Sequence, residues 1–192
     1  TSVANNTEVI YNWTAPVLNV SLDTILLMHF DLEGADNDTL VEDETGRNNG
    51  TKLALGAPVW NSTEGKFGYS LGFDGLDDDV IVSDSGSLDL NGSFSIAFWI
   101  YPTNLSKNQT FLAKGSGTLG TNYFIDYKTT TEIEFGFYNG AFRSVAVDAS
   151  DITANHWNLI TVTLNDTSNI SRVYINGEDK GSLQLDYDAP AN

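Results

Sequence analysis

Four carboxylates fall within six residues at Asp74-Gly75-Leu76-Asp77-Asp78-Asp79. Like charges this close must be solvated, protonated or neutralised by a cation, and aspartate is a compact hard-oxygen ligand of the kind Ca²⁺ takes. The spacing is not that of an EF-hand, whose loop runs ~12 residues to a bidentate Glu. The competing reading is a solvated turn in which Asp74 caps backbone amides. Other chemistries fall away quickly. The chain has no Cys, which removes thiolate catalysis, Cys zinc sites and disulfides together. Its two His, His29 and His156, stand in no metal-ligand spacing, and His29, interrupting an apolar run, reads as a hydrogen-bonded structural residue. No nucleophile elbow is present. Lys114-Gly115-Ser116-Gly117 follows a strand-like run but opens no helix and lacks the phosphate-loop spacing.

A second kind of chemistry is available to aromatic rings, which stack on sugars. Tyr123, Tyr127, Tyr138 and Arg143 fall on neighbouring strands or turns and form a candidate ligand-binding face. Alternation equally permits Tyr123, Ile125 and Tyr127 to be core, the commoner place for strand aromatics. A third kind is modification. With 19 Thr and 16 Ser in 192 residues, the 19 Asn should give roughly three or four Asn-x-Ser/Thr sequons; there are eleven. They start at Asn5, Asn12, Asn19, Asn37, Asn49, Asn61, Asn91, Asn104, Asn108, Asn165 and Asn169. This surplus points to an N-glycosylated exterior protein, and its coincidence with the lack of Cys leans to a prokaryotic, archaeal-type cell surface.

The net charge of −17 comes from 26 acidic and 9 basic residues, and 18 of the acidic ones are Asp. Such a field repels phosphate backbones and anionic lipid, which excludes nucleic acid and leaves cations and neutral ligands such as sugars. No run of 18 apolar residues exists to span a membrane, and Thr1 to Glu8 lack the regions of a signal peptide.

These residues need a scaffold, and its signature is β. Strand-like runs recur at Thr24 to Phe30, Ala57 to Trp60, Gly68 to Phe73, Val80 to Val82, Ser93 to Tyr101, Phe111 to Lys114, Asn122 to Lys128, Glu132 to Tyr138, Arg143 to Val147, Trp157 to Leu164, Arg172 to Ile175 and Ser182 to Tyr187. Breakers such as Asn91-Gly92, Asn139-Gly140 and Asn176-Gly177 separate them, and no window keeps a helical period. In Phe94 to Ile100 the apolar residues alternate, while the other face, with Ala97, Trp99 and Tyr101, is only half polar. That pattern predicts a central strand covered on both sides. Two stacked antiparallel sheets around one apolar layer account for the whole, an all-β sandwich with almost no helix over residues 22–192. Residues 1–21 read as an arm or linker, in which Val9 to Tyr11 and Val17 to Val20 could each add an edge strand.

Several segments in order resemble the laminin-G-like jelly-roll domains of the concanavalin A-like lectin/glucanase superfamily. They are Leu26-Leu27-Met28-His29-Phe30-Asp31, Asp43-Glu44-Thr45-Gly46-Arg47-Asn48-Asn49-Gly50-Thr51, Gly65 to Val80, Phe94 to Pro102, Trp157 to Thr163 and Val173-Tyr174-Ile175-Asn176-Gly177. The resemblance implies a Ca²⁺ near a sheet rim, with the Asp74, Asp77, Asp78 and Asp79 turn as its site and Asp31 and Asp43 as helpers. It also implies closing strands beyond the equivalent of Leu183 that this sequence does not show, so the sandwich reads as about two strands short. Its open edge would invite strand donation from the arm or from a neighbouring copy. Glucanases of the superfamily carry E-x-D-x-E on one strand face. Here Glu132 and Glu134 share a face, but Gly136 and Phe137 stand where the second catalytic carboxylate belongs. The expectation is a non-catalytic extracellular module that binds glycans or surface proteins, with a structural assembly subunit as the alternative.

Overall fold

The computed structural model describes residues 22–53, 57–90, 92–115, 122–138 and 142–184. The 1–21 arm, the sequons at Asn5, Asn12, Asn19 and Asn91, and the end of the Ser182 to Tyr187 run lie outside the described residues. The strands are β1 (Leu40–Val41), β2 (Gly50–Lys52), β3 (Val59–Asn61), β4 (Ser70–Gly72), β5 (Val80–Val82), β6 (Phe94–Ile100), β7 (Gln109–Lys114), β8 (Tyr123–Lys128), β9 (Glu132–Tyr138), β10 (Phe142–Asp148), β11 (Asn158–Asn165), β12 (Ile170–Ile175) and β13 (Glu178–Gln184). A 3-10 turn at Gly86–Leu88 is the sole helical element among the described residues.

Two four-stranded antiparallel sheets form the sandwich. Sheet I has the order β13-β12-β11-β6 and sheet II the order β10-β9-β8-β7. Two smaller ladders, β1-β2-β5 and β3-β4, complete the described structure. Period-two alternation decides which side chains meet in the middle. Sheet II contributes Tyr123, Ile125, Tyr127, Ile133, Phe135, Phe137, Val145 and Val147, and sheet I contributes Ile160, Val162, Leu164, Val173 and Ile175, all buried. Full burial of one such side chain stabilises the fold by about 1.5–3 kcal/mol. Phe94 meets Phe135 edge-on across the layers, at 6.1 Å between ring centroids. At Asn176-Gly177 the hairpin between β12 and β13 turns with positive φ at both residues, 53° and 85°, the twist that fits two-residue hairpins.

Three expectations are corrected. Among the described residues strand β6 is last in its sheet, not central, and its outward Ser95, Ala97 and Trp99 are exposed. Thr24 to Phe30 joins no ladder among the described residues. Its backbone is held at Leu27, whose N–H donates to the Asp43 carboxylate (2.8 Å) and whose carbonyl accepts from the Glu44 N–H (2.9 Å). Strands β1 and β2 gave no strand signal because they are short and half polar. Their pairing is set by register, Leu40 opposite Thr51 and Val41 opposite Gly50.

Candidate functional site

The outward face of sheet II carries a group of side chains that register, not sequence spacing, assembles. Asp126 stands directly opposite Glu134, Lys128 opposite Glu132, and Phe124 opposite Gly136. Lys128 Nζ lies 2.7 Å from Asp126 Oδ2 and 3.4 Å from Glu134 Oε2, so one ammonium clamps two carboxylates from adjacent strands. Both carboxylates are mostly covered, with 17 % and 24 % side-chain exposure. The hydrogen bond from Lys128 to Asp126 outweighs partial burial and holds the ammonium above the usual lysine range. Asp126 Oδ1 is buried with no hydrogen-bond partner among the described residues, an acceptor that a donor would satisfy. Lys128 also lies 5.9 Å from the Phe124 ring centre. Further along β9, Gly136 adds no side chain to the face, and Tyr138 is 50 % exposed. Glu134, Gly136 and Tyr138 form a shelf about 14 Å long on this face, in which Gly136 itself is buried between Phe124 and Ser144.

The four residues expected to form a binding face separate. Tyr123 and Tyr127 are buried in the core, 7 % and 3 % exposed, which corrects that assignment for both. Burial pushes the Tyr123 hydroxyl above its ordinary range, and its O–H donates to the Leu88 carbonyl at 3.2 Å. Arg143 stands opposite Phe137 and so shares the inward side of β10, whereas Tyr138 faces outward. Of the four, Tyr138 alone joins the outward shelf.

The acidic turn behaves differently. Oxygens of Asp74, Asp77 and Asp78 lie within 4.8 Å of one another. Gly75, at φ 75°, allows the reversal that gathers them. The Asp74 carboxylate accepts from the Leu76 N–H at 2.8 Å, and Asp78 accepts from the Asp74 N–H at 2.6 Å, so the turn also caps itself. Three clustered hard-oxygen donors fit Ca²⁺ in kind, with further ligands from water or backbone. Asp79 and Asp31 are outside this trio; Asp31 lies against Gly68.

Asp43 is not a free ligand. It is 1 % exposed, and its carboxylate accepts from the N–H groups of Leu27, Thr45, Arg47 and Asn48 and from the Thr45 hydroxyl. Burial pushes its carboxyl up, but the bonds from Thr45, Leu27 and Asn48 together outweigh burial and hold it below the ordinary value. With both oxygens spent on protein donors, the helper role is corrected to that of an internal cap.

Residues 73–192, well over half of the chain, match the family described as the concanavalin A-like lectin/glucanases superfamily. The chain belongs to that superfamily. No curated protein matches its sequence. Domain 4 of AbnA, an extracellular GH43 arabinanase from Geobacillus stearothermophilus solved with arabinotriose, is similar in structure. It has a TM-score of 0.56 and 18 % identity over 83 % of this chain and 75 % of that one. Residues 221–444 of an S-layer domain-containing protein from Clostridium thermocellum ATCC 27405 align with a TM-score of 0.51 and 21 % identity, over 85 % and 75 % of the two chains. Both likenesses concern the fold of the superfamily. Within that frame the sequence reading missed Asp126 and Lys128, because each looks like an ordinary exposed charge until β8 and β9 align them with Glu134. The one signal available was the alternation in Phe124, Asp126 and Lys128, which places them opposite the core side.

Proposed function

We propose that this chain is a non-catalytic carbohydrate-binding module of an extracellular or cell-surface protein, and that its ligand lies on the outward face of sheet II. The observation that carries this reading is the shelf itself, where exposed Tyr138 and half-buried Phe124 flank a partly desolvated Asp126, Lys128 and Glu134 clamp. Aromatic faces pack on sugar rings, and charged groups already fixed by one another accept and donate to hydroxyls at small entropic cost. The outward face carries Asp126, Glu132, Glu134 and Asp148 beside the single Lys128, so a neutral oligosaccharide is favoured over an anionic one. That the arabinanase domain, similar in fold, was solved in complex with arabinotriose is in keeping with a neutral-sugar ligand. No sequon starts within β8, β9 or β10; the nearest in space, Asn108, accepts from the Thr129 N–H at the far end of β8.

Catalysis is not proposed. Asp126 and Glu134 are bound to the same ammonium, so neither is placed as the free acid that glycoside hydrolysis requires of one partner. A Ca²⁺ at Asp74, Asp77 and Asp78 belongs to the proposal, as a rim site that would relieve their mutual repulsion. Calorimetry against neutral and anionic oligosaccharides tests the reading. Binding of neutral sugars, weakened about tenfold by Tyr138→Ala (roughly 1.4 kcal/mol) and unaffected by Tyr127→Phe, is expected. Equal affinity in wild type and Tyr138→Ala would remove the shelf from consideration.

A further inference from the structure

The outward face of sheet I has a chemistry opposite to that of sheet II. Among the outward positions of β6, β11 and β12 the single charged residue is Arg172, and it is paired with Asp179 at 2.6 Å. What the face carries instead is aromatic. Trp99 on β6 is 40 % exposed and stands opposite Leu159. One step along, Ala97 stands opposite Thr161, and Thr161 opposite half-buried Tyr174. Two strand spacings and one two-residue step put Trp99 and Tyr174 about 12 Å apart. The positions between them hold the small Ala97 and Thr161, which leave the two rings standing above a low floor. Just beyond the ladder, Tyr101 and Trp157 meet edge-on at 5.6 Å and continue the aromatic row past Trp99. Lys66 Nζ lies 4.3 Å from the Trp99 ring centre and 5.8 Å from that of the exposed Phe67, which brings an ammonium and a further ring to the same end.

The size of this row selects its occupant. From Tyr101 to Ala97 along β6 and from β6 to β12 across, it covers on the order of 150 Å². A stable protein interface takes ~800 Å² from each partner, so a second copy of the chain would find too little to hold. An oligosaccharide fits the scale. Its C–H faces pack on aromatic rings, and its hydroxyls meet the Thr161 hydroxyl and the Lys66 ammonium. The field of a chain of net −17 disfavours an anionic sugar.

We propose that the outward face of sheet I is a second glycan-binding platform, on which a neutral oligosaccharide lies across Trp99 and Tyr174. It is on the opposite side of the sandwich from the Asp126, Lys128 and Glu134 shelf, so one module with both sites bridges two glycan chains. The platform does not depend on the shelf being a ligand site.

An NMR titration of the full chain with neutral hexasaccharides of glucose, xylose and arabinose tests it. Saturable shifts of the Trp99 indole N–H are expected, assigned through its loss in Trp99→Phe. Trp99→Ala should weaken the binding read at the Tyr174 ring at least tenfold, and Trp99→Phe, which keeps a ring, should weaken it less. Tyr174→Ala should weaken the binding read at Trp99, and Tyr138→Ala should leave it unchanged. Circular dichroism of all four variants should match wild type, since these rings lie outside the core. The absence of any Trp99 shift with these sugars overturns the proposal. So does a Trp99 signal that moves with protein concentration alone, which would assign the face to a second copy. Trp99 shifts that persist while nothing moves on sheet II keep the platform and remove the shelf; shifts confined to Tyr138 and its neighbours do the reverse.

Discussion

Replacing Asp43 by Ala removes the acceptor of five hydrogen bonds from a position that is 1 % exposed. The donors are Leu27 N–H at 2.8 Å, Thr45 N–H at 3.1 Å, Thr45 Oγ1 at 2.5 Å, Arg47 N–H at 3.3 Å and Asn48 N–H at 2.9 Å. Hydrogen bonds to an ionised group contribute about 1.5–3 kcal/mol each before water returns to the site. Only the Asn48 bond is fully buried, and water can recover much of the rest, so about 3–4 kcal/mol of stability should be lost. That is a large part of the 5–15 kcal/mol typical of a domain. Asp43→Asn keeps an acceptor for Leu27 but sets an NH₂ against the three donors on Oδ2, for a loss of about 2 kcal/mol. Urea unfolding followed by Trp fluorescence, with unchanged m-value, measures both. The pH dependence has a defined sign. A carboxyl held below its ordinary 3.8 stabilises the fold above that pH and loses the contribution as pH falls through the lower folded value, so wild type and Asp43→Asn should converge only once the pH has dropped below that lower value. The deficit should be the same in Ca²⁺ and in EDTA. A loss under 1 kcal/mol, or one reversed by removing Ca²⁺, would refute the internal-cap assignment.

Other outcomes follow from the same geometry. Calorimetry should show Ca²⁺ binding that Asp77→Asn and Asp78→Asn each weaken and Asp79→Asn leaves nearly intact; no heat in wild type would leave the turn as a self-capped loop. Tyr123→Phe should lower stability by about 1 kcal/mol through the lost bond to Leu88 without changing sugar affinity, and a binding defect would contradict its burial. Glycopeptide mass spectrometry of protein from its own cells should find occupancy among the exposed Asn37, Asn104, Asn108 and Asn165. Unmodified peptides at all four would make the sequons turn motifs alone.

That last alternative has a structural basis. Asn37, Asn61 and Asn104 each accept, through Oδ1, both the N–H and the hydroxyl of the residue two places on. Asp43 with Thr45 and Asp148 with Ser150 make the corresponding pairs. Asn or Asp followed two later by Ser or Thr is thus a turn device of this chain whether or not a glycan is attached.

The sequence by itself determined what depends on near neighbours: an all-β chain, the strand positions from β6 to β12 within a few residues, the Asn176-Gly177 hairpin and the Asp74 to Asp78 cluster. Alternation and turn chemistry act over two to six residues, so their traces are local. What required tertiary structure was everything set by pairing across strands. Whether Tyr127 was core or surface depended on which face of sheet II met sheet I. Asp126, Lys128 and Glu134 became a unit only through the register of β8 on β9. Strand β6 is an edge among the described residues because the count of its neighbours is a property of sheet order. Register is fixed by the summed burial of two whole sheet faces, and no single segment of sequence carries that sum.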